Sequence, residues 1–330
     1  MPRRPLPTVS ALEVSELAVE YPQRGGPPVQ AVVDATLAVA SGEIVGLVGE
    51  SGCGKSTLAR AAVGLVAPSG GSIVFDGREL APLGRRARSR HDVRLQMVFQ
   101  NPYASLNPRR RVGRQIADSL ATLGQGNRGD RRRRVEELLG QVGLSESAAS
   151  RYPHQVSGGQ RQRIAIARAL AAEPSVLVLD EPLSSLDASA QAQIANLLVR
   201  LARELGLGLL LISHDLGIVR QVADRVCVMY LGEIVESGPT EELWTRPIHP
   251  YTEALIRAIP HADGAGFMPE ALPGEVPDPA RPPQGCRFHP RCPLAFDRCS
   301  TEHPQLEAVA AGRLSACWLS AERAAQAASD

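Results

Sequence analysis

Ile44-Val45-Gly46-Leu47-Val48 runs straight into Gly49-Glu50-Ser51-Gly52-Cys53-Gly54-Lys55-Ser56-Thr57. The first five residues form an unbroken apolar run, the pattern of a strand buried on both faces. The next nine follow G-x-x-x-x-G-K-S, and Thr57 to Val66 has helical composition. A strand, a glycine-rich loop and a helix in that order gather backbone N–H groups around a phosphate. Glycines at 49, 52 and 54 let the chain curl, and Glu50, Ser51, Cys53 and Thr57 fill out the ATP-binding loop. Lys55 brings a mobile positive charge to the β and γ phosphates, and Ser56 offers a hydroxyl to Mg2+. The expected core is therefore an α/β fold of the P-loop NTPase kind.

Working outward, Val176 to Leu179 is a second apolar strand that ends in Asp180-Glu181. Asp180 can reach the magnesium shell, and Glu181 can orient an attacking water, because phosphoryl transfer depends on positioning and charge stabilisation. Alone, Asp180-Glu181-Pro182 would be an ordinary strand-end turn. The phosphate loop upstream makes it catalytic. Leu209 to Ser213 is a third apolar strand, which places His214 at the same sheet edge and within reach of a γ-phosphate. Gln100, after Leu95 to Phe99, can sense that phosphate or complete the magnesium shell through water. Valine- and leucine-rich strands alternating with helical Ala188 to Leu205 indicate a parallel sheet with crossover helices.

Ser157-Gly158-Gly159-Gln160 opens a second helical run, Arg161 to Leu170, and is a second anion cradle. One nucleotide cannot fill both cradles, so the second is expected to close on ATP bound to another subunit. Residues 109 to 172 read as mainly helical, an inserted subdomain, and 11 to 40 as short strands. The expected organisation is a tail at 1–10, a nucleotide-binding domain at 11–245 with its helical subdomain at about 100–172, and a C-terminal module at 246–330. In that module prolines multiply and periodicity fades, so something other than a large apolar core should hold it.

The 330 residues carry 36 Lys+Arg against 35 Asp+Glu, a balance that gives no reason to expect a nucleic-acid partner. The densest basic run, Arg131 to Arg134, reads as a solvated helix start beside Glu136 and Glu137. Apolar runs such as Leu207 to Ile212 fall far short of the ~20 residues that cross a bilayer. Six cysteines are spread unevenly. Cys53 lies in the phosphate loop, where alkylation is expected to inhibit and ATP to protect. Cys286, Cys292, Cys299 and Cys317 crowd the end in a C-x5-C-x6-C-x17-C set. Four thiolates suit zinc or an iron–sulfur cluster, and the lack of paired C-x2-C knuckles favours iron–sulfur.

The motifs and their order resemble the nucleotide-binding domain of ABC transporters. In that family's terms Gly49 to Thr57 resembles the Walker A loop, Gln100 the Q-loop and Ser157 to Gln160 the signature motif. Asp180, Glu181 and His214 resemble the Walker B aspartate, the catalytic glutamate and the switch histidine. Ser184-Ser185-Leu186-Asp187 resembles the D-loop, with Ser185 where alanine is usual, and Tyr21 sits where the family stacks an aromatic on adenine. The resemblance implies a RecA-like core with an antiparallel β subdomain, ATP and Mg2+ as cofactors, Asp187 near the nucleotide, and Ser56, Gln100 and Asp180 around Mg2+.

Gln100 to Pro108, Arg151-Tyr152-Pro153-His154, His249-Pro250-Tyr251-Thr252 and the run from Gly285 to Cys292 are similar to ATPase subunits of dipeptide, oligopeptide and nickel importers, of the F-type. Such a subunit implies a sister ATPase in a heterodimer, two permeases, an extracytoplasmic binding protein and a peripheral place on the cytoplasmic membrane face. It also implies a 4Fe–4S cluster on Cys286, Cys292, Cys299 and Cys317, with Zn2+ the alternative. Soluble ABC ATPases of repair or translation share the core motifs. They carry coiled-coil or zinc insertions or a second fused ATPase unit, and neither occurs here.

Overall fold

A computed structural model describes residues 10–85, 87–101, 105–259 and 274–329, with side chains to 324. Nearly all of the expected N-terminal tail and Pro102-Tyr103-Ala104 after Gln100 lie outside the described residues.

Strands in chain order are β1 (Ser10–Tyr21), β2 (Val29–Ala40), β3 (Ile44–Val48), β4 (Gly70–Phe75), β5 (Arg78–Glu79) and β6 (Leu95–Val98). They continue with β7 (Val176–Asp180), β8 (Gly208–Ile212), β9 (Arg225–Tyr230), β10 (Glu233–Pro239), β11 (Glu307–Ala310) and β12 (Arg313–Ser315). The helices are α1 (Lys55–Ala62), α2 (Val112–Thr122), α3 (Arg128–Gln141), α4 (Gly158–Leu170), α5 (Ala188–Leu205) and α6 (Leu216–Val222), then α7 (Thr240–Thr245), α8 (Pro250–Arg257), α9 (Asp297–Thr301) and α10 (Ser320–Ser329).

Two sheets result. β2-β1-β4-β5 is antiparallel, and the larger sheet runs β11-β12-β10-β9-β3-β8-β7-β6. Its middle, β9-β3-β8-β7-β6, pairs parallel throughout. All five residues of β3, of β7 and of β8 are buried, as unbroken apolar runs require when both faces are covered. Gly46 marks where α6 crosses closest: a Cβ there would stand 2.4 Å from Val219 Cγ1. One face of this sheet packs on α1 and the antiparallel sheet through Leu47, Leu58, Val178 and Leu210. The other packs on the helices through Ile44, Ile164, Leu179, Leu198 and Leu211. Each such side chain contributes roughly 1.5–3 kcal/mol when fully buried.

The strands expected within 11–40 are present and pair antiparallel, and 109–172 is mainly helical. The basic run starts a helix, with Arg132, Arg133 and Arg134 paired to Glu136, Asp130 and Glu137. Two expectations are corrected. The helix after the glycine loop spans Lys55–Ala62, not Thr57 to Val66, because Val63 leaves helical torsions and Gly64 turns left-handed at φ 70°. The C-terminal segment is not held apart from the apolar core. Its β12 pairs with β10, and Tyr251, Leu255 and Phe288 belong to the main core cluster.

Candidate active site

Four chain segments carrying sequence-selected residues leave the C-terminal ends of four neighbouring parallel strands. Gly49 follows β3, Ser213-His214 follows β8, Glu181 follows β7 and Gln100 lies just beyond β6. Ligands gather at that edge of an open α/β sheet.

The loop from Gly49 is held tightly from below. Gly49 (φ 152°) and Gly54 (φ 107°) lie in the region that favours glycine. A Cβ at Gly49 would stand 2.1 Å from the Met229 carbonyl oxygen, and one at Gly54 2.2 Å from that of Ala31. Gly54 is the N-cap of α1 and offers no side-chain acceptor, so the first N–H groups of the helix face the loop. Lys55, 5 % exposed, donates from Nζ to the carbonyls of Gly49 (2.7 Å) and Glu50 (2.8 Å).

Ser56 Oγ donates to Asp180 Oδ1 at 2.8 Å, which unites two motifs lying 124 residues apart. Burial is the largest influence on Asp180 and pushes its carboxyl above the usual range, against the hydrogen bond from Ser56 and the positive charge of Arg60. Glu181 turns left-handed at φ 46°, a conformation that costs a non-glycine residue roughly 1–3 kcal/mol. Its backbone N–H reaches the Ile212 carbonyl at 3.0 Å. Gln100 Nε2 donates to Glu181 Oε2 at 2.8 Å, and His214 Nδ1 lies 3.5 Å from the same oxygen. Gln100, Glu181 and His214 thus meet at one carboxylate oxygen, a convergence the strand order makes possible.

Other selected residues lie elsewhere. Ser157 is the N-cap of α4: its Oγ accepts from Gln160 N–H at 3.3 Å, and Gln160 Oε1 accepts from Ser157 N–H at 3.1 Å. Among the described residues no hydrogen bond joins 157–160 to the 49–57 loop. Cβ atoms at Gly158 and Gly159 would approach Leu186 Cδ2 and Ala190 Cβ, each at 3.3 Å. The second glycine-rich start therefore sits beside the Asp187 turn, where Asp187 caps α5 through Ala190 N–H at 2.9 Å. Tyr21 closes β1 opposite Val29 and is 39 % exposed.

Cys53 departs from the reading of an accessible thiol. It is buried, and burial pushes its pKa up against the pull of Lys55. Only thiolates alkylate readily, so inhibition through Cys53 is not expected from this geometry.

Glu50 holds a surprise. Its side chain takes two hydrogen bonds from Arg291, and its N–H donates to Tyr251 Oη. Neither partner was picked out by chemistry in the sequence, although both lie in runs noted above.

Cys286, Cys292, Cys299 and Cys317 line one pocket with His249, Pro250, Phe288, Leu294, Trp318 and Leu319. Burial, joined by the neighbouring thiols, pushes the Cys286 thiol up to about 12. Four soft donors suit a thiolate-bound metal by type. Their arrangement does not: among the described residues no group of three or more His, Cys, Asp or Glu side chains is placed to hold a metal ion. Nor is any described helix long and apolar enough to cross a membrane.

Comparison with known proteins agrees with this geometry. Residues 32–184 match the family described as ABC transporter, and 235–299 the oligopeptide/dipeptide transporter C-terminal region. The chain is 46 % identical over 310 residues to the oligopeptide transport ATP-binding protein OppF of Salmonella typhimurium, covering 90 % of this chain and 92 % of that one. It is 47 % identical over 286 residues to the di/tripeptide transport ATP-binding protein DppF of Pseudomonas aeruginosa, covering 86 % and 88 %. Among solved structures, CbiO1 of Clostridium perfringens superposes with a TM-score of 0.62 at 31 % identity, over 72 % of this chain and 91 % of that one. An ATP-binding cassette solved as a dimer with ADP and phosphate gives 0.61 at 28 % identity, over 69 % and 98 %. The chain belongs to the ABC transporter family, as an ATP-hydrolysing subunit of its oligopeptide/dipeptide branch.

Proposed function

We propose that this chain is the ATPase subunit of an importer of peptides, binding ATP on the 49–57 loop and hydrolysing it with Glu181 as the water-orienting carboxylate. The observation that carries this reading is the meeting of Gln100, Glu181 and His214 beside the Ser56–Asp180 pair. In this reading Lys55 and the N–H groups of the loop hold the β and γ phosphates. Ser56, Asp180 and Gln100 are the residues that would hold Mg2+, which supplies charge neutralisation on the transferred phosphoryl group. Glu181 accepts the proton of the attacking water, and His214 steadies the carboxylate and reaches the γ-phosphate. Tyr21 stacks on adenine.

Ser157 to Gln160 and Asp187 close on ATP held by a second ATPase subunit. The lack, among the described residues, of any hydrogen bond from 157–160 to the chain's own loop supports this, as does the dimer reported for the cassette bound to ADP and phosphate. That partner is a sister subunit in a heterodimer, and the pair docks beneath two permeases at the cytoplasmic membrane face, served by an extracytoplasmic binding protein. The proposed domain limits are 11–245 for nucleotide binding, with the helical part at about 100–172, and 246–330 for the C-terminal module. Peptide as substrate rests on the C-terminal region match and on the printed activities of the two relatives.

For the thiol pocket, the donor type alone, four cysteines lining one pocket, supports a 4Fe–4S centre held by Cys286, Cys292, Cys299 and Cys317, with Zn2+ the alternative; the side chains as placed would have to rearrange to grip either. Anaerobically purified protein should then be brown and contain iron and sulfide. Colourless protein with stoichiometric zinc would reverse the choice of metal.

The substrate class is tested by reconstituting the full transporter and measuring ATP turnover with the loaded binding protein. Peptide-loaded binding protein should stimulate hydrolysis. Stimulation by nickel chelates alone would move the chain to another substrate class.

A further inference from the structure

Glu50 is an odd residue to find in a loop that gathers N–H groups for an anion, because its carboxylate repels the phosphates that the loop attracts. The structure shows how that charge is managed. Arg291 Nη1 and Nη2 meet Glu50 Oε2 and Oε1 at 2.7 and 3.0 Å, a two-pronged pairing that fixes orientation as well as neutralising charge. The Arg291 side chain is only 3 % exposed, so solvent screens the pair little. Tyr251, fully buried, accepts the Glu50 N–H on its hydroxyl at 3.0 Å. The Glu50 carbonyl in turn takes Lys55 Nζ at 2.8 Å. Side chain, N–H and carbonyl of one loop residue are each held, two of the three from the C-terminal segment.

We propose that Arg291 and Tyr251 are positioning residues of the ATP-binding loop, and that Arg291 also cancels the negative charge that Glu50 brings to that loop. The nucleotide site is thereby completed by the C-terminal segment. A loop preset in this way loses less conformational freedom when ATP binds, and affinity rises accordingly. Arg291 ends the short turn His289–Arg291, set between Cys286 and Cys292, so the four-thiol pocket and the phosphate loop share one rigid connection. The inference rests on the reading of 49–57 as the loop that holds ATP, and Lys55→Ala tests that reading separately.

The test is ATP binding by the full chain, followed by calorimetry and paired with thermal unfolding. Arg291→Gln, which leaves Glu50 bare, should raise the ATP Kd about tenfold or more, a shift of about 1.4 kcal/mol per tenfold. Adding Glu50→Gln should return the Kd to within about threefold of wild type, since the repelling charge is gone. A role confined to stability would lower Tm without that recovery. Tyr251→Phe should raise the Kd about threefold, and Arg291→Lys should fall between wild type and Arg291→Gln. These two milder variants carry the test if Arg291→Gln does not fold. An unchanged Kd in folded Arg291→Gln, or equal weakening in the single and double variants, would overturn the proposal while Lys55→Ala still abolishes binding. Lys55→Ala binding ATP like wild type would remove the loop assignment itself, and this proposal with it.

Discussion

The two glycine-rich helix starts of this chain look alike in sequence and are built differently. At 49–54 the glycines are demanded by the backbone: Gly49 and Gly54 hold left-handed torsions, and a Cβ on either would run into a carbonyl oxygen. At 157–160 no glycine is so constrained. Gly158 and Gly159 have ordinary torsions and only side-chain neighbours, and the helix is capped by its own Ser157 and Gln160. The first start is a folded receptacle, tied to Asp180 through Ser56 and to Arg291 through Glu50. The second is a self-capped helix start whose glycines leave clearance for Leu186 and Ala190. Glycine in a motif can thus serve either conformation or clearance, and only the torsions tell which.

Substitutions can break this contrast, and the largest effect belongs to the first region. Glu181→Gln keeps the shape of the side chain and removes the proposed proton acceptor. Phosphate release by the assembled transporter should fall at least ~100-fold while ATP binding persists. Unchanged turnover would move catalysis to another residue. Next comes the second region. Gly158→Asp places a carboxylate at the first turn of α4, where the helix tolerates it well. ATP affinity of the single chain should stay within about twofold of wild type, yet turnover of the assembled pair should drop by at least ~100-fold on the reasoning that a charge now meets the partner's nucleotide. Loss of affinity in the single chain would instead place this helix start at the chain's own ATP.

Alanine scanning by urea denaturation sharpens the same contrast at a smaller scale. Gly54→Ala should destabilise by at least about 2 kcal/mol, combining the left-handed penalty of roughly 1–2 kcal/mol with a 2.2 Å approach to a backbone oxygen. Gly158→Ala should stay within about 0.5 kcal/mol, since a leucine methyl group at 3.3 Å can move aside. Equal losses would erase the distinction between conformation and clearance. The smallest effect concerns Cys53: its labelling by iodoacetamide, followed by mass spectrometry, should be at least about tenfold slower than that of a free thiol in solution, because burial keeps it protonated. Rapid labelling blocked by ATP would restore the accessible thiol expected from the sequence.

Much of the site was legible because its signals are local. Ile44 to Val48, Val176 to Leu179 and Leu209 to Ile212 read as buried strands since no polar residue interrupts them, and each motif follows its strand directly. Strand order then delivers the contacts: β3, β8, β7 and β6 are neighbours, so Gln100, Glu181 and His214 meet although up to 114 positions separate them in the sequence. The sequence concealed what depends on long-range packing. β11 and β12 are four and three residues long, too short for an alternating pattern to stand out. Helix α1 stops at Ala62 because of a left-handed turn at Gly64 that composition alone does not reveal. Glu50 gave no hint of its partner, because Arg291 belongs to a proline-rich run with no periodicity at all.

The Arg291–Glu50 pair spans 241 residues of sequence. Translation runs from the N-terminus at about 5–20 residues per second, so the loop emerges roughly 10–50 s before the arginine that steadies it. A nascent chain arrested short of 285 carries every residue of the glycine-rich loop, and Tyr251, but lacks Arg291. On the proposal above, the growing polypeptide would grip ATP less firmly until Arg291 has been made.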